Sequence, residues 1–481
     1  MNRNLACLSA IVLSGCSTLP FSGGEALDVL PVAPEAPANW AAAGVAGEAD
    51  AGDWVAGFND PIMASLIKEA LKDSPTIAAQ LATVEAARQT ARAVYGDTLP
   101  SLSASGQVGA ARNVADFGGE PIANDQAIYG LGLNASWEAD LWGRLRAGIQ
   151  AANADLLASE ADYAAAELSL AANVATGWIN LNAALAQERV AVETFEARDR
   201  IVTLTERRFS RGLTNALDVR TARSARAGAQ AQIAARRQAS GEAARLLEVL
   251  LGRYPSAAID AAAELPMLDA LKPSGNPALL LSRRPDIAAS EARVISAGLS
   301  AEQARLALLP TLQLSASAST NGDTLSKALD PDFLGSQLIA SIAQPIFNGG
   351  SLKARRDSAL ARAEIAVANY ATAALQAWRE VENALAADVL LAQQEAAQSV
   401  ALEEAVFAED LATRQYQNGL VTIFNLIDAQ TQRLNSESAL ISARSNRAVN
   451  RINYHLALGG GLPASVAGVT QEAAPAAGDT Q

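Results

Sequence analysis

Few side chains in this sequence have the types and spacing that catalysis requires. Among its 481 residues, the only histidine is His455 and the only cysteines are Cys7 and Cys16. We find no glycine-rich phosphate loop, no cluster of histidine and cysteine, and no serine–histidine–aspartate set. We therefore expect no catalytic site, no cofactor and no metal site, and a protein that is not an enzyme.

Cys16 carries the clearest chemical signal. A positively charged start at Arg3 is followed by a short apolar stretch from Leu5 to Leu13 and then by Ser14-Gly15-Cys16. The stretch is too short to span a membrane and is typical of a secretory signal. The small residues before Cys16 match a bacterial lipoprotein processing box, in which the cysteine becomes the lipid-modified first residue. The alternative is an ordinary cleaved signal with a chance cysteine.

The charge balance excludes one class of partner. The chain has 37 lysines and arginines against 51 aspartates and glutamates, and its net charge is −14. Nucleic-acid binding calls for a basic face, so we expect no nucleic-acid partner. An acidic chain suits a solvated surface or a pore that tolerates cations.

The chain contains an internal duplication. Arg211-Gly212-Leu213 and Asn418-Gly419-Leu420 are about 207 residues apart, and nearly the same offset relates Pro75 to Pro285 and Pro100 to Pro310. Each copy contains a helix, two strands, a long helix, a turn and a helix. One supersecondary unit has therefore been used twice.

Long helices follow from the distribution of proline and glycine. Residues 351–458 contain no proline and one glycine, Gly419, which predicts helices over 351–417 and 422–456. The first copy predicts helices over 143–210 and 214–250, with Gly212 in the turn. A helix of nearly seventy residues is about 100 Å long. Shorter helices are predicted before the strands, from 61 to 98 and from 285 to 308.

The periodicity changes to two after Pro100 and after Pro310. Apolar residues alternate with serine and glutamine over 101–108 and 312–319, and second strands are predicted at 129–137 and 337–344, with exposed loops over 111–126 and 320–335. Strands of about ten residues are long enough to cross a bilayer when tilted. Four strands do not close a barrel, so closure requires other copies of the chain. A small soluble sheet that caps a helical bundle is the alternative.

Residues 168–187 carry no charge and are a candidate membrane helix. It contains Ser169, Asn173, Thr176, Asn180 and Asn182, which are costly in lipid without partners. We therefore predict that it is a packed part of the long helix. Any membrane crossing is then made by strands.

Five motifs of the sequence are informative together: Trp54-Val-Ala-Gly-Phe58-Asn-Asp60-Pro61, Trp137-Glu-Ala-Asp140-Leu-Trp142-Gly143-Arg144, Gln344-Pro345-Ile-Phe347-Asn-Gly349-Gly350, Arg208-Phe209-Ser-Arg-Gly212 and Arg414-Gln-Tyr416-Gln-Asn-Gly419. They resemble those of TolC-type outer-membrane efflux proteins, and the likeness covers about residues 53–461. With its acylated cysteine, the chain is most similar to the lipoprotein branch that serves resistance-nodulation-division pumps.

The resemblance implies an α+β membrane protein that forms a homotrimer. Each chain would contribute four strands to a 12-stranded β-barrel in the cell outer membrane, and the helices would form a long α-helical barrel in the periplasm. The implied function is a passive exit duct for drugs or other small toxic solutes, gated at the periplasmic helical tip. Its partners would be outer-membrane lipid, a periplasmic adaptor (membrane fusion) protein and an inner-membrane resistance-nodulation-division transporter. A type I protein secretion duct and a periplasmic structural coiled-coil lipoprotein are the open alternatives.

The expected organisation divides the chain into six segments. They are a lipoprotein signal peptide (1–15), a lipid-anchored tether (16–52), a first repeat (53–252), an equatorial linker (253–284), a second repeat (285–461) and a mobile C-terminal tail (462–481).

The resemblance also implies where the pore narrows. Aligned on Gly419, Phe424 and Asp428 occupy the family's constriction. Six residues beyond Gly212 in the first repeat lies Asp218, a further candidate for the constriction, where the second copy has Asn425. The alternative for Asp428 is a solvated carboxylate in the first turns of a helix, where it suits the helix dipole.

Two residues near the second turn are candidates for a lock. Arg414 and Tyr416 would bridge neighbouring helix pairs near the tip, and a structural role in the turn is the alternative.

Overall fold

The structure of the chain is a computed structural model that describes residues 36–42, 54–115, 118–119, 122–271 and 276–460. The predicted signal peptide, Cys16, most of the tether and the C-terminal tail lie outside the described residues.

The two repeats contain the same series of elements. The first has α1 (Pro61–Asp73), α2 (Pro75–Gly96), β1 (Ser101–Ala115), β2 (Ile122–Ala139), α3 (Arg144–Ser210) and α4 (Ala216–Leu250). The second has α5 (Pro277–Arg283), α6 (Pro285–Leu306), β3 (Thr311–Gly322), α7 (Leu325–Ala328), β4 (Leu334–Ala343), α8 (Ser351–Gln417) and α9 (Ile423–Ala457). Both α2 and α6 have 22 residues, α3 and α8 have 67, and α4 and α9 have 35. These equal lengths confirm the duplication.

The prediction of a single helix over 61–98 was wrong, because the helix is interrupted at Ser74. Ser74 caps the end of α1 in an extended conformation, with ψ of 127°, and Pro75 begins α2. Arg284 takes a similar conformation before Pro285, with ψ of 122°. A proline disfavours the helical conformation of the residue before it, so each break follows from the sequence.

The four strands form one antiparallel sheet in the order β1-β2-β3-β4. Its register separates an apolar face from a polar face, as the alternation predicted. One row across the sheet is Leu102, Ala135, Ala316 and Leu338, and the adjacent row is Ser103, Asn134, Ser317 and Gln337. In the single chain, Leu102 is 74% exposed and Leu338 is 81% exposed, so the apolar face is left uncovered.

The hairpins are longer than the sequence indicated. The loop predicted over 111–126 is mostly strand, because β1 continues to Ala115 and β2 begins at Ile122. The second loop, predicted over 320–335, was also predicted too long, since β3 ends at Gly322 and β4 begins at Leu334. Backbone pairing does not require apolar side chains, and the polar residues that suggested a loop face each other across the ladder. Arg112 and Asp125, for example, are paired at 3.6 Å.

The residues form two compact units, each built from parts of both repeats. The sheet unit contains the described residues of 89–155 and 293–368, and the helical unit contains the described residues of 33–88, 156–292 and 369–481. Among the described residues, no helix is long and apolar enough to cross a membrane.

Equivalent side chains hold equivalent turns in the sheet unit. Trp137 Nε1 donates to the carbonyl of Thr98 at 2.9 Å, and Gln344 Nε2 donates to the carbonyl of Leu308 at 2.9 Å. Both bonds fix the turn between a helix and its following strand. The motif that begins at Trp137 is therefore structural.

The helical unit has an apolar core shared by α1, α3, α4 and α9. The motif that begins at Trp54 enters this core, and Asp60 caps α1 by accepting from the N–H groups of Ile62 and Met63. Trp178 Nε1 donates to the same carboxylate at 2.6 Å. His455 stacks on Trp54, with ring centroids 6.1 Å apart.

Within the helical unit, the linker between the repeats is held against the helices at two places. Glu248, which is buried, accepts hydrogen bonds from the backbone N–H groups of Ala257 and Ala258, both at 2.7 Å. Arg447 and Arg451 donate to the carbonyl of Asp269 at 3.1 and 2.8 Å. Charged side chains therefore fix a segment that has no helix of its own from 253 to 271.

Candidate gate at the helical turns

The two helical turns end in the same way. Gly212 and Gly419 have φ of +73° and +74°, in the left-handed region that glycine adopts without a steric penalty. The N–H of Leu213 donates to the carbonyl of Arg208, and the N–H of Leu420 donates to that of Gln415, both at 2.9 Å. These bonds satisfy carbonyls at the ends of α3 and α8, so each glycine terminates its helix.

The helices that follow are capped by hydrogen bonds between equivalent residues, but the two bonds run in opposite directions. Asn215 Oδ1 accepts from the N–H of Asp218 at 3.0 Å, and Asn425 Oδ1 accepts from the N–H of Thr422 at 3.2 Å. The carboxylate of Asp218 also accepts a hydrogen bond from the hydroxyl of Thr214. Both the backbone N–H and the carboxylate of Asp218 are therefore hydrogen-bonded at the start of α4. The sequence did not predict these hydrogen bonds.

Phe424 and Asp428 lie on the exposed face of α9. They are four residues apart and therefore share one side of the helix, whereas Ile423 and Leu426 are buried on the other. Phe424 is 54% exposed. Among the described residues, Asp428 makes no hydrogen bond or ion pair.

Tyr416 connects α8 to α3. It is only 2% exposed, and its hydroxyl lies 2.9 Å from the hydroxyl of Thr205. Arg208 Nη1 donates to the carbonyls of Tyr416 and Gln417, both at 2.9 Å, and the guanidinium carbon lies 5.2 Å from the centre of the Tyr416 ring. We call Thr205, Arg208 and Tyr416 the tip lock.

Arg414 is placed differently from Tyr416. It is exposed and forms an ion pair with Asp410 one turn earlier on the same helix. The sequence prediction missed Arg208 and Thr205. An arginine four residues before Gly212 was the available signal, because cations near a helix end interact favourably with free carbonyls.

A small apolar cluster supports the lock and joins all four helices at this end. Its buried members are Ile201, Val202, Ala222, Tyr416, Ile423 and Leu426. The turns are therefore held together by packing and by hydrogen bonds. No group of side chains suited to a metal ion occurs among the described residues.

A four-stranded antiparallel sheet and two pairs of long helices are shared with outer-membrane efflux proteins. The model of the outer membrane efflux protein family matches residues 66–253 and 276–460. The chain is 32% identical to the pyoverdine export outer membrane protein OpmQ of Pseudomonas aeruginosa, over 98% of this chain and 99% of OpmQ. It is 30% identical to the toluene efflux pump outer membrane protein TtgC of Pseudomonas putida, over 96% of each. It matches the structure of the outer-membrane channel OprN with a TM-score of 0.81 and 26% identity, over 90% of this chain and 99% of that one.

The chain belongs to the outer membrane efflux protein family. It is an α+β outer-membrane protein and a homotrimer, in which four strands per chain contribute to a twelve-stranded barrel on a periplasmic α-helical barrel. It serves as the outer-membrane exit duct of a tripartite efflux system, with an adaptor and an inner-membrane transporter, and is a channel rather than an enzyme. The predictions of family, fold, function and location are thereby confirmed. These relatives give no support to a secretion duct or a coiled-coil lipoprotein.

Proposed function

We propose that the turns at Gly212 and Gly419 form the periplasmic gate of the duct, and that Phe424 and Asp428 line its closed pore. The supporting observation is their shared exposed face on α9, directly after a turn that the tip lock holds in place. A homotrimer sets three copies of each side chain around one axis. Three phenyl groups resist wetting, and three carboxylates admit cations and disfavour anions.

The tip lock keeps the gate closed in this proposal. Opening moves α8 and α9 away from α3, which separates Tyr416 from Thr205 and from Arg208. All three residues of the tip lock belong to one protomer, so the lock joins α3 and α8 of the same chain. Arg414 stays a lock candidate toward a neighbouring protomer, because it and Asp410 are both exposed.

Asp218 makes a smaller contribution to the constriction than Asp428 does. Its carboxylate already accepts a hydrogen bond from Thr214 and is only partly exposed. The equivalent residue of the second repeat is Asn425, which carries no charge. We therefore expect the cation preference of the pore to depend mainly on Asp428.

The exported compounds are small toxic solutes in this proposal, delivered through a resistance-nodulation-division transporter. By their names, OpmQ exports pyoverdine and TtgC belongs to a toluene efflux pump. A strain that lacks this chain should become more susceptible to a panel of small toxic compounds. Unchanged susceptibility together with loss of a secreted polypeptide would instead indicate a secretion duct.

Lipid modification of Cys16 anchors the chain in addition to the barrel. The proposal rests on the processing box in the sequence, and the six-segment organisation given above follows from it and from the duplication. The tether of residues 16–52 then connects the lipid to the first repeat.

Replacement of both pore residues tests the proposed gate. The purified Phe424→Ala, Asp428→Ser double variant, reconstituted in planar bilayers, should show higher conductance and lower cation preference than the parent. Leu217 and Thr221 occupy the equivalent positions on α4, and Leu217 is 62% exposed. The Leu217→Ala, Thr221→Ser variant is therefore the matched control and should change both quantities less. Parent-like conductance and selectivity of the first variant would place the constriction elsewhere.

A further inference from the structure

The sheet of one chain has two unpaired edges, one on β1 and one on β4. The strand order β1-β2-β3-β4 leaves one side of each of these strands without a backbone partner among the described residues. An edge strand presents free N–H and C=O groups, and a closed barrel satisfies them. In the homotrimer, β4 of one protomer therefore pairs with β1 of the next, and three such joints close the ring.

The duplication relates the registers of the two hairpins. β3 follows β1 by 210 residues and β4 follows β2 by 207, which are the offsets of the prolines and of the turn glycines given above. With these offsets, the pair Ser101–Ser136 of the β1–β2 ladder becomes the pair Thr311–Ala343 of the β3–β4 ladder. All ten pairs of the β3–β4 ladder are reproduced in this way. Two offsets are therefore sufficient to transfer a register from one repeat to the other.

The same offsets convert the β2–β3 ladder into the ladder at the joint. β2 becomes β4, and β3 becomes β1 of the next protomer. We propose that the eleven pairs of the β2–β3 ladder recur there, from Ser336 opposite the partner's Arg112 to Ile346 opposite the partner's Leu102. The partner at this edge is a second copy of the chain, held in one register.

This ladder gives Ile346 a neighbour that the single chain does not supply. Against β3, β4 ends at Ala343, whereas β2 continues to Ala139. Transferred to the joint, that continuation extends β4 by three residues, through Ile346. Ile346 is 90% exposed in the single chain and Leu102 is 74% exposed. Opposite each other on the apolar face, these two side chains form a cross-strand pair.

Side-chain sizes fit the proposed register. On the apolar face, Ile342 lies opposite the partner's Gly106, and Ala340 lies opposite the partner's Val108. Each pair sets a large side chain against a small one, so the two edges approach without a clash. Cross-strand pairs of this kind are what stabilise one register of a sheet over another.

Shifted registers fit less well. A shift by one residue exchanges the two faces of the strand, so that apolar side chains oppose polar ones along the whole joint. A shift by two residues sets Leu338 opposite the partner's Arg112 in one direction, and Ile339 opposite the partner's Gln107 in the other. In the proposed register, Arg112 lies opposite Ser336, which is polar. The alternatives therefore place a charged or polar side chain against an apolar one.

Paired cysteines test the register on the full-length trimer in outer membranes. Ser341→Cys with Gln107→Cys is a pair on the polar face, and Ala340→Cys with Val108→Cys is a pair on the apolar face. Because hydrogen-bonded and non-hydrogen-bonded pairs alternate along an antiparallel ladder, the two variants include one pair of each kind. Opposite Cβ atoms are about 4.5–5.5 Å apart, close to the distance that a disulfide requires. On oxidation, the cysteine pairs should join chains into covalent dimers and trimers on a non-reducing denaturing gel.

Pairs that are shifted by two residues are the matched controls. They are Ser341→Cys with Ser105→Cys, and Ala340→Cys with Ala110→Cys. Diagonal neighbours are roughly 7–8 Å apart, so these variants should join chains about ten-fold more slowly or less. The corresponding single-cysteine variants measure any contribution of Cys16.

An opposite pair within the chain controls for access of the oxidant. Asn134→Cys with Ser317→Cys is the counterpart on the β2–β3 ladder of the pair on the polar face. It should oxidise without joining chains, which is measured by loss of thiol labelling in a protein that still migrates as a monomer. The proposal is overturned if a shifted pair joins chains faster than the proposed one. It is also overturned if neither proposed pair joins chains while the pair within the chain oxidises.

Discussion

Arg208 joins the ends of α3 and α8, and its replacement by alanine should open the gate. The side chain donates to two carbonyls at 2.9 Å and stacks on Tyr416. Hydrogen bonds to charged groups are worth about 1.5–3 kcal/mol each, and a cation–π contact about 0.5–1 kcal/mol. Together these contacts are worth about 3.5–7 kcal/mol. Because Arg208 is partly exposed, solvent screens them, and we take about half of that sum, a loss of about 2–4 kcal/mol per protomer. That shifts each protomer's equilibrium about 30- to 1,000-fold toward the open state.

Mean single-trimer conductance in planar bilayers measures this effect. Arg208→Ala should give the larger increase, and Tyr416→Phe a smaller one, because it removes only the contact with Thr205 at 2.9 Å. Arg207→Ala is the control, since Arg207 is exposed in the same helical turn. Parent-like conductance of an intact Arg208→Ala trimer would refute the reasoning, and so would an equal increase in Arg207→Ala.

Three further outcomes are expected. Cys16→Ala should fold and insert but lose label in metabolic labelling with a fatty acid; label retained on Cys16→Ala would reject the lipid assignment. Burial alone raises the pKa of Glu248, but hydrogen bonds from linker N–H groups outweigh it and lower that pKa below its usual value of 4.5. The linker contact is therefore fully present above pH 4.5 and is lost as the pH falls through the folded-state pKa, so melting temperature should drop on acidification, and Glu248→Gln should reduce this dependence. Gly212→Ala and Gly419→Ala should each cost about 1–2 kcal/mol from the left-handed backbone, measured by thermal unfolding. Only Gly419→Ala should also raise conductance, because its Cβ would lie 3.2 Å from Arg208 Nη2; equal conductance of the two variants would contradict this.

The long helices and the sheet could be predicted because their signals are local. A run without proline, ended by one glycine, sets the bounds of α3 and α8 to within a residue or two. Alternation assigns the residues of 101–108, 129–137 and 312–319 to faces, and the register of the sheet confirms that assignment. The ends of the hairpins were not predictable in the same way, because backbone pairing continues through polar residues such as Arg112 and Asp125.

The candidate gate was predictable in part. The four-residue spacing of Phe424 and Asp428 places them on one face of any helix, and the sequence alone identifies both turn glycines. The sequence did not show that the Asp218 carboxylate accepts a hydrogen bond from Thr214, because helix caps depend on the conformation of the residues just before the helix.

The sequence by itself therefore determined the repeat, the helix and strand periods and the positions of the turns. Each of these depends on backbone preferences and on neighbours a few residues apart. Tertiary structure alone decided that Arg208 and Thr205 meet Tyr416, and that Trp178 meets Asp60. These contacts join residues of different helices, and the phase and depth of helix packing set which side chains meet.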